Sequence, residues 1–88
     1  MDAISVIAAF RSRAQTMKLF QAAKQNGIPC NIVNTPREAA VSCGISVSYC
    51  PEVHAYIQRL MYRGNFSGLI GFFKITRVGG KRTLAERI

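Results

Sequence analysis

Residues Ile4–Phe10 (ISVIAAF) form an apolar run of strand length, and no other feature constrains the fold of this chain as tightly. A half-buried strand alternates apolar and polar residues, so a run that does not alternate suits a central strand covered on both faces. The 88 residues that must provide the cover are enough for a single hydrophobic core and too few for a second. The run is too short to span a bilayer and no basic segment precedes it. Neither a membrane helix nor a secretory signal is expected, and the expected location is the cytoplasm.

After Phe10 the period changes. Ser12 with Gln15 three residues on reads as a capping box opening a helix, whose apolar stripe is Ala14, Met17, Phe20 and Ala23 with Leu19 alongside. Asn26-Gly27 ends it and Pro29 prevents continuation. Cys30–Asn34 reads as a short strand and the segment from Thr35 to Gly44 as an irregular loop. Ile45, Val47 and Tyr49 then alternate with Ser46, Ser48 and Cys50, the period of a strand with one buried face. Pro51 and Glu52 suit the first turn of a second helix, with Val53, Ile57, Leu60 and Met61 on its apolar side and Gly64-Asn65 as its stop. Leu69–Val78 is the fourth strand, and Gly79-Gly80 closes it.

The order strand, helix, strand, strand, helix, strand is that of an α+β ferredoxin-like βαββαβ sandwich, two helices on one face of a four-stranded antiparallel sheet. The right-handed crossover rule sets the third strand between the first and second. Residues 1–80 are expected as one domain, with 81–88 a basic, mobile C-terminal tail. In this topology Arg11 and Arg13, the 35–44 loop, and Arg63 with Asn65 share one end of the sheet.

Twelve Lys and Arg against four acids give a net charge of +8, which favours anionic partners without choosing among them. The acids are scattered and there is one histidine, so neither a carboxylate pair nor a Ser/His/Asp set can be assembled, and the chain is not expected to be an enzyme. No Cys-x-x-Cys or clustered His/Cys pattern points to a metal, and no cofactor is expected. His54 falls on the second helix, at an expected exposed position.

Three cysteines are an odd number, which fits free thiols in a reducing compartment better than a disulfide framework. Cys43 stands out because it lies in the irregular segment between Ser42 and Gly44, away from any apolar strand face. Arg37 on the same loop, and Arg11 and Arg13 across from it, favour the thiolate, which is the nucleophilic form. Pro36, Ser42 and Gly44 shape the loop, and Gly44 lets another reacting sulfur come close. The competing reading makes Cys43 a semi-buried filler, as most free cysteines are. Cys30 reads as packed against the first helix. Cys50 ends the third strand, too far from Cys43 for a disulfide.

The run Thr35-Pro36-Arg37-Glu38 followed by Ser42-Cys43-Gly44, together with Phe10-Arg11-Ser12-Arg13 and Gly27-Ile28-Pro29, resembles the selenium/sulfur carrier protein-like family over about Ile4–Val78. The chain departs from the commonest form in carrying Ala39-Ala40-Val41 ahead of Ser42. The resemblance implies that Cys43 holds a persulfide or selenosulfide and relays it between a persulfide donor, such as a cysteine desulfurase, and an acceptor protein. It does not choose between sulfur and selenium, and assigns no role to Cys30 or Cys50. The alternative is a non-enzymatic basic binding module for RNA or an acidic protein, with Cys43 structural. Against RNA, the sequence sets no pair of aromatics on adjacent central strands. A homodimer through an open sheet face, with Phe72 and Val78 at the contact, is a third expectation.

Overall fold

The computed structural model describes residues 3–39, 44–79 and 82–88. Five strands, β1 (Ala3–Phe10), β2 (Asn31–Asn34), β3 (Ile45–Tyr49), β4 (Leu69–Val78) and β5 (Arg82–Arg87), form one antiparallel sheet in the order β2-β3-β1-β4-β5. Two helices, α1 (Arg13–Gln25) and α2 (His54–Arg63), connect β1 to β2 and β3 to β4. β3 lies between β1 and β2, as the crossover rule requires.

Alternation along β1 divides its side chains between two cores. Val6, Ala8 and Phe10 face the helices and pack with Leu19 and Ala23 of α1, Ile57 of α2, and Val47 and Tyr49 of β3. Ile7 and Ala9 face the other way and pack with Phe73 and Ile75 of β4. This second face is roofed by the loop after β2, which makes a 3₁₀ turn at Arg37–Ala39 and buries Ala39 against those residues. The unalternating sequence of β1 thus has its physical cause: helices cover one side and, among the described residues, the 37–39 turn covers the other.

The sheet has one strand more than the four expected, and the segment 81–88 read as a tail contains it. Val78 pairs with Arg82, so β4 and β5 form a hairpin, and Gly79 takes φ +60°, a backbone angle that a side chain would strain. β5 has Ala85 on the second face, beside Ile75, and that apolar contact offsets its otherwise charged composition.

Three local expectations also change. Ser12 occupies the N-cap of α1 in an extended conformation but makes no side-chain cap bond. Gln15 instead accepts from the Ser67 backbone N–H at 3.0 Å, so the capping-box partner is used in a tertiary contact. The buried stripe of α1 is Thr16, Leu19 and Ala23, with Ala14 exposed. Phe72, expected on an open face, points to the helix side and packs there, while Phe73 takes the opposite side.

Candidate functional site

The pairing registers bring three segments to one end of the sheet. Phe10 ends β1 beside Leu69, where β4 begins, and Asn34 ends β2 beside Ile45, where β3 begins. The Arg11 N–H donates to the Gly68 carbonyl at 2.8 Å. Lys18 donates to the Asn65 carbonyl and sets its ammonium 4.7 Å from the Phe66 ring, which in turn lies 6.1 Å from Phe10. The connector before β4 is therefore fixed from α1 and from the core at once.

The loop after β2 is fixed at both described ends. The Thr35 N–H donates to the Gly44 carbonyl at 3.0 Å, and the Thr35 and Ser46 hydroxyls share a 2.6 Å hydrogen bond. Within the turn, the Ala39 N–H donates to the Pro36 carbonyl at 3.0 Å. Ser46 is fully buried, so Ser46→Ala removes a satisfied bond from the base of the loop. A loss of about 1 kcal/mol in unfolding free energy is expected, read as a lower urea midpoint with unchanged slope.

Of the residues singled out in the sequence, Cys43 and Ser42 lie outside the described residues. Arg11 and Arg13 are exposed at the end of β1 and the start of α1, and Gly44 is exposed at the foot of β3. Arg37 is exposed, on a turn that runs beneath the second face and packs against β5. Arg37 thus belongs to a different side of the sheet end from the Arg11 and Arg13 pair. Pro36 is half-buried and anchors the turn through its carbonyl. Arg63 closes α2 near the connector.

One basic residue absent from the sequence reading joins this region. Arg87 reaches from β5 across β4, donates from Nη2 to the Ile70 carbonyl and covers the Phe73 ring at 5.8 Å. The register slips between Ala9 and Phe10, leaving Ile70 without a partner on β1, so its carbonyl is free for the guanidinium. A Cβ at position 71 would come within 2.9 Å of Arg87 Nη2, so Gly71 admits the arm. Nothing in the sequence signals this contact, because its residues become neighbours only through the hairpin.

The described cysteines, Cys30 and Cys50, are free thiols at the opposite end of the sheet, where both line a groove of about 170 Å³. Cys30 is 3% exposed, and burial pushes its thiol above the ordinary range, only partly countered by Lys24. Cys50 is exposed at the N-cap before Pro51, its carbonyl accepting from the Val53 N–H at 3.1 Å and its thiol making no cap bond. Among the described residues no cluster of His, Cys, Asp or Glu has the makings of a metal site, and no helix is long and apolar enough to cross a membrane.

His54 is not a free surface residue. Its Nδ1 lies 2.8 Å from the Tyr49 hydroxyl, and its ring meets Phe72 edge-on with centroids 4.8 Å apart. Burial lowers the His54 pKa below 6.5 and raises that of Tyr49, so the phenol keeps its proton. The unfolded chain takes up a proton at His54 near pH 6.5 and the folded chain resists it. Stability is therefore greatest above that pH and falls as the pH drops through it towards the lower folded-state value. The urea midpoint is expected to fall between about pH 7.5 and about pH 5.5, and His54→Gln to flatten that fall.

With this geometry in place the kinship of the chain can be stated. The model of the family described as "Putative Se/S carrier protein-like" matches residues 5–68, from β1 to the connector before β4. The chain belongs to that family. No curated protein and no solved structure matches it.

Proposed function

We propose that the chain is a relay protein that holds sulfane sulfur, or selenium in its place, on Cys43. The observation that carries this reading is the family match. Its span, residues 5–68, includes Thr35-Pro36-Arg37-Glu38 and Ser42-Cys43-Gly44, the segment whose described ends are held by Ala39 on one side and Gly44 on the other. We read the βαββαβ part as a ferredoxin-like sandwich to which β5 is added.

The chemistry balances without an external oxidant. The Cys43 thiolate attacks the outer sulfur of a donor persulfide, the donor's S–S bond breaks, and the donor leaves as a thiolate while Cys43 becomes the persulfide. An acceptor nucleophile then takes the outer sulfur and returns Cys43 to the thiolate. A perselenide donor passes selenium by the same exchange. Arg11 and Arg13 at the start of α1 supply positive potential at this end of the sheet, and Arg37 supplies it from the loop itself. The chain relays the group and turns over no substrate alone, so its partners are a donor such as a cysteine desulfurase and an acceptor protein, in the reducing cytoplasm.

The RNA-binding alternative has less support. Phe73 points to the face without helices, but it is buried there beneath Ala39 and Arg87 and so offers a base no stacking surface. The test of the relay is incubation with a cysteine desulfurase and cysteine, followed by intact mass. One added sulfur atom, removed by reductant and mapped to Cys43, is expected; an unchanged mass would overturn the proposal.

A further inference from the structure

Among the described residues β5 leaves the sheet with an unpaired edge, and its sequence is self-complementary across that edge. Ile88 donates from its N–H to the Phe72 carbonyl, in register with the Arg87–Phe73 pairing. In an antiparallel ladder the bonded positions recur every second residue. Arg82, Leu84 and Glu86 therefore spend their backbone groups on β4, while Thr83 and Ala85 turn theirs outward. An outward row of this kind is a template for another strand.

We propose that this edge pairs with the same edge of a second copy, antiparallel, about a two-fold axis through Leu84. The outward parity of Thr83 and Ala85 limits the choice of register. Centring on Leu84 sets Thr83 against Ala85 of the other copy, twice, so that every outward N–H and carbonyl of those residues finds its complement. On the helix side the same register sets Arg82 against Glu86 of the other copy, twice, with the two Leu84 side chains face to face between them. Leu84 is 47% exposed in the single chain, a large apolar side chain between two opposite charges. Centring on Ala85 instead would set Leu84 against Glu86 and lose both ion pairs. The axis through Leu84 also uses nearly the full length of the strand. The result is one continuous sheet with an isologous interface, in which each Glu86 sits between Lys74 of its own chain and Arg82 of the other.

The net charge of +8 on each copy opposes association at long range, so the measurement belongs at moderate ionic strength, where that repulsion is screened and adjacent pairs survive. Sedimentation of the full chain across a concentration series is expected to show a mass moving from 9.7 kDa towards twice that value. Arg82→Glu and Glu86→Arg each replace both attractive pairs by repulsive ones, and should weaken the dimer by about tenfold or more. Mixing the two variants sets two acidic side chains on one copy against two basic ones on the other. Both cross-strand pairs are then attractive again, so the mixture should form a heterodimer although neither variant pairs with itself. Hydrogen exchange on the unaltered chain provides a check that requires no variant. The amides of Thr83 and Ala85 should gain protection as concentration rises, while those of Leu84 and Glu86 are protected throughout. A mass that stays at that of one chain, or Thr83 and Ala85 amides indifferent to concentration, overturns the proposal. So does a dimer that both charge reversals leave intact.

Discussion

Phe10→Ala is expected to leave the protein unfolded, or so close to it that urea denatures it at the lowest concentrations. Phe10 is 0% exposed at the end of the central strand, among Leu19, Val47 and Ile57, with Phe66 leaning on it. Truncation removes its burial and leaves a cavity that strands on both sides prevent from collapsing, at a cost of about 3–5 kcal/mol. A domain of this length has on the order of 5–10 kcal/mol to lose. The loss also falls on the proposed site, because Phe10 supports Phe66 and the connector that Arg11 and Gln15 grip. A urea midpoint within experimental scatter of the unaltered protein would show that this core is not the main source of stability.

Cys43→Ser should abolish sulfur loading outright, whereas Cys30→Ser and Cys50→Ser should leave it intact. The contrast follows from environment. Cys30 is buried under α1 with its thiol pushed up by desolvation, so it presents little thiolate to a donor. Cys50 is exposed, and it can take up sulfur as a side reaction under excess donor. The discriminating readout is therefore transfer: label on Cys43 should pass to an acceptor protein, and label on Cys50 should remain until reductant strips it. Loading that persists in Cys43→Ser and disappears in Cys50→Ser would move the site to the other end of the sheet.

Much of the architecture could be read from periodicity, because the strands and helices that build the main core carry their patterns locally. Ile45, Val47 and Tyr49 alternate as half-buried strand residues do, and Val53, Ile57, Leu60 and Met61 mark the inner side of α2 and the turn before it. β5 was not legible because Arg82–Arg87 has a single branched aliphatic residue and three charges; it is a strand through β4 and the hairpin, not through propensity. Gln15 fitted a capping box because sequence spacing cannot see Ser67, 52 residues away. The same limit hid the placement of Arg37. The topology sets the 35–44 loop across from Arg11 and Arg13 at the sheet end, yet Ala39 draws its turn under the second face, where Ile7 and Phe73 need cover. His54 looked solvent-facing because the hydroxyl that accompanies it sits on a strand, not on its helix.

The two sides of the sheet are held with unequal strength, and that inequality decides where the molecule breathes. The helix side is sealed by two elements whose buried residues interlock with four strands. Among the described residues the other side is closed by the 37–39 turn, whose buried side chain is Ala39, and by Arg87 over the Phe73 ring. Hydrogen exchange at the Ala39 amide is therefore expected to be faster than exchange in α1 and α2, by opening below the free energy of global unfolding.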